Sequence, residues 1–395
     1  MLILAEAVTL AHVARPAALA AGLDARRFEV HLACSERFDA LLGDLPHVRH
    51  DLDSISTAHF LEALDRGEPV YSAADLRRYV RADLELMGRV VPDVVVGDFR
   101  LSLSVSARLA GIPYASIANI YWSPIARARF PLPELPLTRA LGVRPATRRL
   151  FGVVQPLAFA LHTRPLNRVR REHGLPSLGH DLRRTYTDAD QVLYADAPEL
   201  APPHAPTPGH RFLGPVLWSP AVGAPEWFDQ LGDHPVVYVS LGSSGKPALL
   251  EAALSGLAEL PVTVVAAAAG RSVLAPPNAF VAGFLPGDAA CRRASVVVCN
   301  GGSPAVQQAL AAGRPVVGIA ANMDQHLSMG SAVAAGAGVL VRSEQATPAA
   351  VARAVRRLLE DESFRLRAEA IARRLAAYDA PATFARAVEE MVRRS

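Results

Sequence analysis

The chain has only three cysteines among its 395 residues, Cys34, Cys291 and Cys299, and only one lysine, Lys246. An odd number of widely spaced cysteines gives neither a disulfide framework nor a metal-ligand pattern. We expect Cys34 and Cys299, which end apolar runs, to be buried structural thiols. The formal net charge is +3, which is too small to indicate a nucleic-acid partner.

Long apolar runs are also missing from the sequence. No run reaches the length of a helix that spans a membrane, and the N-terminus lacks the basic region of a secretory signal. The apolar run Met1–Ala5 is therefore predicted to be the first strand of the fold, and the cytoplasm is the expected location. No Gly-x-Gly-x-x-Gly follows this strand, which disfavours a dinucleotide-binding dehydrogenase.

Apolar residues, in contrast, make up 51% of the chain, and predicted strands alternate with predicted helices. This composition indicates a large folded core, and the alternation indicates doubly wound parallel sheets of α/β class. We predict an N-terminal domain over 1–213, a linker rich in Pro, Gly and Trp over 214–235, a C-terminal domain over 236–377 and a last helix over 378–395. That helix is expected to pack back on the N-terminal domain.

Two element predictions in the N-terminal domain are specific enough to test. Thr57–Val91 is predicted to be one long helix, since its apolar residues recur at helical spacing until Pro92. Gln191–Ala195 is predicted to be the strand that closes the domain.

The most informative stretch is Val296–Gln325, which holds two apolar strands with a helix between them. The first strand ends at Asn-Gly-Gly-Ser (300–303), and the second, Pro315–Ala320, ends at a polar loop over 322–325. Glycines let a ligand approach the backbone closely, and a helix N-terminus favours a bound diphosphate. Ligands of open parallel sheets bind at this edge. From these residues alone, an ordinary glycine-rich turn is the alternative interpretation.

The spacing from Gly-Gly (301–302) through Gly-x-Pro (313–315) to Asp-Gln (324–325) resembles a known motif. It is similar to the donor-binding motif of nucleotide-sugar-dependent glycosyltransferases, the group that includes plant secondary-metabolite and bacterial macrolide enzymes. The resemblance covers most of the chain and is strongest over 236–341. It implies a GT-B fold, with two Rossmann-like domains facing each other across a cleft, and a UDP- or TDP-sugar as co-substrate with no further cofactor.

The resemblance assigns donor-binding roles residue by residue. Gly302 and Ser303, preceded by Gly301, would hold the diphosphate, and Asp324 and Gln325 would hydrogen-bond the sugar hydroxyls. The helix N-terminus would take the place of a cation, so no metal is expected.

Two donor positions depart from the family pattern. Asn300 stands where a diphosphate-binding His is usual, and Gln308 stands where a ribose-binding Glu is frequent. Both side chains still hydrogen-bond, but neither carries a charge. The Gly242-Ser243 turn resembles a phosphate or acceptor contact of the family, and the loop at Leu285 resembles the one that reads the nucleobase edge.

Glycosyl transfer to an alcohol needs a base, since an alcohol is a poor nucleophile until its proton leaves. His12 is predicted just after the first strand and Asp98 at the end of another, so both would lie at the same edge of a parallel sheet. A carboxylate bound to one imidazole nitrogen leaves the other nitrogen as base. A lone His at a helix start is more often a cap or a core residue. The matching family positions, however, hold this pair in a catalytic role.

A strongly basic segment, 127–171, holds ten arginines and a single acid, Glu134. Its apolar residues are expected to form a small core: Phe151, Val153, Val154, Leu157, Phe159 and Leu161. Three interpretations stay open from the sequence. The segment is an acceptor-binding lid, a surface that touches anionic lipid, or a solvated basic face over ordinary core helices.

The leading hypothesis is an inverting, metal-independent glycosyltransferase. A hydroxyl of a small apolar natural product or lipid-like alcohol, deprotonated by His12, would attack the anomeric carbon of a UDP- or TDP-sugar carrying a hexose or deoxyhexose. A nucleotide-sugar epimerase on the same fold is one alternative, and a non-catalytic nucleotide-sugar-binding partner protein is another. We expect a monomer or a homodimer.

Overall fold

The structure, a computed structural model, describes residues 1–43, 45–126, 129–205, 207–243 and 245–394. The elements of the first half are β1 (Leu2–Ala5), α1 (Leu10–Ala21), β2 (His31–Cys34), α2 (Asp39–Leu42), β3 (Val48–Asp51), α3 (Thr57–Arg66), α4 (Ala73–Val90), β4 (Val95–Asp98), α5 (Leu103–Ala110), β5 (Tyr114–Ala118), α6 (Pro136–Leu141), α7 (Pro145–Glu172), α8 (Arg183–Tyr186), β6 (Gln191–Tyr194) and β7 (His210–Phe212).

The second half follows the same alternation. Its elements are β8 (Val236–Ser240), α9 (Pro247–Leu257), β9 (Thr263–Ala267), β10 (Ala279–Ala282), α10 (Gly287–Arg293), β11 (Val296–Cys299), α11 (Ser303–Ala311), β12 (Val316–Ala320), α12 (Met323–Ala334), β13 (Gly338–Arg342), α13 (Pro348–Glu360), α14 (Glu362–Leu375) and α15 (Ala380–Val392).

The chain divides into two compact units. The first unit holds Met1–Ala128, Leu135–Val216 and Asp379–Ser395, and the second holds Arg129–Glu134 and Leu217–Tyr378. Helix α15 therefore belongs to the first unit, although it is the last element of the sequence. The short segment Arg129–Glu134 belongs to the second unit, although residues of the first unit flank it on both sides.

The first unit is built on a parallel sheet with the strand order β3-β2-β1-β4-β5-β6-β7. Its central strands are buried on both faces, which explains why they are almost continuously apolar. The order of the strands reverses between β1 and β4, where Ala5 lies beside Asp98 in the register. In open α/β sheets such a reversal opens the crevice in which ligands bind.

The second unit has a parallel sheet with the order β10-β9-β8-β11-β12-β13. Here the order reverses between β8 and β11, where Ser240 lies beside Cys299. Valines of these strands pack against α9 and α13 in a buried cluster that includes Val237, Val298 and Val355. Each unit thus has one reversal point, and the predicted site residues fall at both.

The structure corrects three element predictions. Thr57–Val91 is two helices, because Gly67 ends α3 at a left-handed φ of 70° and Ser72 begins α4 with a reciprocal cap to Asp75. Residues 323–325 are the first turn of α12 and not a loop, because the Asn322 side chain caps that helix by accepting from the Gln325 N–H. The third correction is that β7, not the strand at Gln191, closes the first sheet.

The apolar core expected in the basic segment is also wrong for most of its members. Among the predicted core residues only Phe159 is buried, whereas Val153, Val154, Leu157 and Leu161 are exposed. They lie on α7, a helix whose other face contacts the unit, so the outward face is left to solvent. Arg127 and Ala128 lie outside the described residues.

All three cysteines are free and buried, which confirms the prediction for Cys34 and Cys299. Burial raises the pKa of the Cys34 thiol to about 11 and the pKa values of Cys291 and Cys299 to about 12. A thiol that stays protonated is a poor nucleophile. Of the helices described, none combines the length and the apolar character needed to cross a bilayer.

Candidate active site

His12 and Asp98 lie together at the carboxyl edge of the first sheet. His12 is in the first turn of α1, just after β1, and Asp98 is the last residue of β4, the strand beside β1. His12 Nδ1 lies 2.8 Å from Asp98 Oδ1, a hydrogen bond that fixes the ring. The Asp98 side chain is fully buried and the His12 side chain is 21% exposed. Within the described part of the chain, Nε2 has no hydrogen-bond partner.

Asp98 also binds a cation that the sequence did not single out, Arg15. Arg15 Nε donates to Asp98 Oδ2 at 2.9 Å, and Arg15 Nη2 donates to Oδ1 at 2.7 Å. The third donor, Nη1, reaches Asn119 Oδ1 at 2.8 Å. Asn119 in turn donates to Asp196 Oδ1 at 3.0 Å. His12 is thus the exposed end of a buried, charge-assisted chain of hydrogen bonds.

The electrostatics keep Asp98 ionised. Burial alone would raise its pKa, but the Arg15 charge and the hydrogen bonds from His12 and Arg15 lower the pKa below the ordinary value. An anionic carboxylate accepts the Nδ1 proton, so the neutral imidazole presents Nε2 as an acceptor. This is the arrangement that general-base catalysis requires.

The Phe99 ring packs against one face of the His12 imidazole. Its ring stacks on His12 at a centroid distance of 4.6 Å and an interplanar angle of 17°. The Phe99 backbone has a φ of 59°, which is strained for a residue with a side chain. Such strain concentrates at functional sites, where it aims a side chain. Here the strained backbone directs the Phe99 side chain towards the His12 ring.

The Gly-Gly-Ser turn in the second unit has the geometry of an anion-binding loop. Gly301 has a φ of 79°, and a Cβ there would lie 2.8 Å from Met329 Cγ, so only glycine fits. Gly302 is the N-cap of α11, and Ser303 begins the helix. The Asn300 side chain accepts from the Gly302 N–H at 3.0 Å. Asn300 therefore already engages one of the N–H groups that we expected a diphosphate to use.

The remaining donor candidates lie on neighbouring elements of the second sheet. Gly242 follows β8 with a φ of 64°, and a Cβ there would lie 3.5 Å from Asn300 Nδ2. The Ser243 carbonyl accepts from Arg271 Nη2 at 3.1 Å. Leu285 is buried just before α10.

Gln308 and Gln325 have partners within the second unit. Gln308 Nε2 donates to the Trp218 carbonyl at 2.9 Å and to Ser219 Oγ at 3.1 Å. Gln325 Oε1 accepts from the Ala321 N–H at 2.8 Å, so this side chain braces the turn after β12. Asp324 is half-buried at the first turn of α12. The β8, β11 and β12 ends thus bring Gly242, Asn300–Ser303 and Asp324 to one edge.

A buried hydrogen bond between Glu134 and His326 holds the N-terminal part of α12. His326 Nε2 lies 3.0 Å from Glu134 Oε1, and neither side chain is exposed. Glu134 Oε2 also accepts from Ser343 Oγ and from the Glu344 N–H, at 2.5 and 3.2 Å. Burial alone would raise the pKa of Glu134, but these hydrogen bonds and the Arg342 charge lower the pKa below its ordinary value. The hydrogen bonds of Glu134 thus connect the segment Arg129–Glu134 to the residues that follow β13.

Some of these residues had a signal in the sequence. Arg15 lies three residues after His12, on the same face of α1. Asn119 directly follows β5, the strand next to β4, and Asp98 is the last residue of β4. Phe99 and the Glu134–His326 pair had none, because backbone strain and a contact over such a sequence distance leave no local pattern.

The Asp-x-Asp spacing typical of metal-diphosphate sites occurs twice, at 51–53 and 188–190. The carboxylates of the second pair are engaged structurally: Asp188 accepts from Arg108 and Arg170, and Asp190 accepts from the Tyr114 N–H. No group of three or more His, Cys, Asp or Glu side chains in the described ranges could hold a metal ion.

Comparison with known proteins identifies the family. Residues 249–391 match the family described as erythromycin biosynthesis protein CIII-like, C-terminal domain. A PGL/p-HBAD biosynthesis glycosyltransferase of Mycobacterium tuberculosis is 54% identical over 375 residues, which is 94% of this chain and 87% of the relative. A PGL/p-HBAD biosynthesis rhamnosyltransferase of Mycobacterium bovis is also 54% identical over 375 residues, at 94% of this chain and 83% of the relative.

Comparison with solved structures agrees with the sequence relatives. The solved structure of spinosyn rhamnosyltransferase SpnG has a TM-score of 0.70 and 19% sequence identity, and the match covers 98% of this chain and 99% of that one. At this identity the likeness concerns the fold, which is GT-B, as the sequence motif predicted. Together with the identity to the mycobacterial enzymes, these comparisons mean that the chain belongs to their family of glycosyltransferases.

Proposed function

We propose that the protein transfers a hexose or deoxyhexose from a UDP- or TDP-sugar to a hydroxyl of a small apolar or lipid-like acceptor, with inversion at the anomeric carbon. The observation that carries this proposal is the 2.8 Å hydrogen bond between His12 Nδ1 and Asp98 Oδ1, which leaves Nε2 to accept a proton. Relatives support the details. One is named for rhamnosyl transfer in PGL/p-HBAD biosynthesis, and SpnG has been solved with thymidine diphosphate and with spinosyn aglycone.

In the proposed reaction the acceptor hydroxyl gives its proton to His12 Nε2 as its oxygen attacks the anomeric carbon. The bond from that carbon to the diphosphate oxygen breaks, and its electron pair leaves with the nucleoside diphosphate. Asp98 stabilises the imidazolium that forms, since its carboxylate lies on the far nitrogen. Arg15 keeps Asp98 ionised and oriented throughout.

On the donor side we propose that Gly302, Ser303 and the N-terminus of α11 receive the diphosphate. The helix dipole and N–H groups stabilise the charge that develops on the leaving group, and we propose that no metal or further cofactor takes part. Asn300 would release the Gly302 N–H as the diphosphate arrives. Asp324 is the candidate for the sugar hydroxyls.

The other donor candidates have supporting parts in this proposal. Gly242 and Ser243 would border the phosphates, and the backbone at Leu285 would read the base. Gln308 and Gln325 would act chiefly by holding the turns beside them. We propose the 1–213 domain for acceptor binding, the 236–377 domain for the nucleotide sugar, and a monomer or homodimer in the cytoplasm.

The experiment that tests the base is the His12→Ala variant, assayed with an aliphatic alcohol and with a series of increasingly acidic phenols. Donor binding should be unchanged, while turnover on the alcohol falls by about 10²–10⁴-fold, the effect of a lost general base. The loss should shrink as the phenol becomes more acidic, because its proton leaves more readily. Parent-level activity on the alcohol would show that another residue is the base.

A further inference from the structure

The outward face of α7 carries an apolar stripe that nothing in its own unit covers. Its members are Leu150, Val153, Val154, Leu157 and Leu161, which are 54%, 79%, 45%, 60% and 41% exposed. At 100° per residue these positions fall within one sector of the helix, the spacing by which a helix normally contacts a core. The core-facing side of α7 is instead formed by residues such as Phe159, Thr163 and Leu166.

The exposed apolar surface extends into the element before α7. Leu137 and Leu141 of α6 are 69% and 42% exposed. Scattered exposed leucines are ordinary, but a run of seven large apolar side chains over two successive helices is not. Such surfaces mark sites of interaction.

The same segment is strongly and one-sidedly charged. Residues 135–171 contain eight arginines and no acid. Arg170 is buried and paired with Asp188, but the other seven arginines are exposed: Arg139, Arg144, Arg148, Arg149, Arg164, Arg168 and Arg171. By the helical repeat, Arg164, Arg168 and Arg171 continue the apolar stripe towards the C-terminal end of α7. Arg168 shares Glu172 with Arg77.

We propose that the exposed face of α6 and α7 is a docking surface for an anionic lipid bilayer. Charge decides between the candidate occupants. A second copy of the chain would bring two basic faces together, which is repulsive, and a neutral apolar acceptor would leave seven arginines without a role. A bilayer with anionic headgroups takes the arginines at its surface and the Leu and Val side chains at the acyl boundary.

This inference does not depend on the proposed reaction, because binding to lipid is measured without donor or acceptor. The full chain is sedimented with vesicles of phosphatidylcholine alone or of phosphatidylcholine with phosphatidylglycerol. We expect binding to the anionic vesicles, weakening as salt is added, and little binding to phosphatidylcholine alone. No binding to either vesicle overturns the proposal, and so does equal binding to both.

Arginine substitutions test whether the α6–α7 face is the surface that binds the vesicles. Combined Arg164→Gln, Arg168→Gln and Arg171→Gln should weaken binding to anionic vesicles on the order of a hundredfold, since each cation near a charged surface contributes separately. The matched control changes three exposed arginines of the second unit, Arg353→Gln, Arg356→Gln and Arg373→Gln. Equal losses in the two triples would mean that net charge, and not this face, drives binding.

A fluorescence reporter tests the apolar stripe. With Leu157→Trp, anionic vesicles should shift the added tryptophan emission to shorter wavelength, and brominated lipid should quench it. Leu274→Trp, at a residue that is 92% exposed in the second unit, should do neither. If the protein is instead a dimer in solution that Leu157→Gln dissociates, and vesicles leave the reporter unchanged, the face is a subunit interface and the lipid proposal is wrong.

Discussion

Arg15 changes how the His12–Asp98 pair works. A carboxylate that serves only a histidine can turn towards water or a ligand, but Asp98 is fully buried and receives Arg15 through both oxygens. Removing one partner of a buried pair leaves an uncompensated charge, which is costly. In the proposed reaction Arg15 is therefore a positioning residue: it contacts the carboxylate and Asn119, and its Nη2 lies 3.4 Å from His12 Nδ1.

Replacing Arg15 tests this at the scale of one residue. Arg15→Met should lower the free energy of unfolding by about 3–5 kcal/mol, because Asp98 is left with His12 alone. The control is Arg292→Met, which breaks an exposed pair with Asp288 and should cost about 0–1 kcal/mol. Urea unfolding measures both. A cost for Arg15→Met no larger than the control would mean that Asp98 is not held as described.

If Arg15 acts by position, the surviving Arg15→Met enzyme should also lose kcat with little change in the KM for the donor. A general loss of folded protein would instead lower the apparent enzyme concentration and leave the pH profile of kcat unchanged. An altered pH profile is therefore the readout that a merely structural role would not move.

At the scale of elements, the weakest strand patterns in the sequence belong to β3 and β7, the two edges of the first sheet. The central strands β1, β11 and β12 are apolar throughout because both of their faces are buried, and β4 is apolar up to Asp98. Edge strands have less to bury: β3 reads Val-Arg-His-Asp and β7 reads His-Arg-Phe, patterns that match a loop equally well. The reversal points of both sheets lie among central strands. The position of the candidate site could therefore be predicted from the sequence, although the edges of the sheets could not.

The difference between covered and exposed faces also explains why the core predicted on α7 was wrong. Its apolar spacing is correct for an amphipathic helix, and periodicity gives no sign of whether a stripe faces the core or solvent. The opposite face, with Thr163 and Arg170 among its buried residues, looked polar in the sequence. Only the packing of the unit shows which side is covered.

The N-terminus of α11 offers a test at this scale. Gly302→Val should weaken binding of UDP and TDP at least about tenfold, because its Cβ would already lie 3.2 Å from Asn300 Oδ1 and its methyl groups fill the approach to the N–H groups. Gly330→Val on α12 is the control, since nothing lies within 4 Å of a Cβ there. Calorimetric titration measures both. Parent-like affinity in a folded Gly302→Val protein would remove the diphosphate from this turn.

At the scale of the whole molecule, Glu134 makes the stability of the second unit depend on pH. Its pKa is below the ordinary value of 4.5 in the folded protein, so the ionised form is the one that folding favours. The stabilisation is fully present above pH 4.5 and is lost as the pH falls below it through the folded pKa.

The expected result is that the free energy of unfolding falls more steeply with acid in the parent than in Glu134→Gln. Denaturant unfolding at a series of pH values on both sides of 4.5 gives the two slopes. Glu251→Gln, at an exposed glutamate on α9, is a control that should keep the steeper parent slope. Superimposable profiles for the parent and Glu134→Gln would mean that the pair with His326 contributes nothing to folding.

The placement of Arg129–Glu134 in the second unit also bears on inheritance. A crossover between two related genes near 214–235 gives each offspring protein a first half from one parent and a second half from the other. Glu134 then comes from one ancestor, while His326 and Ser343 come from the other. A recombinant keeps these buried hydrogen bonds only where both lineages have kept matching groups, so this short segment couples the evolution of the two halves.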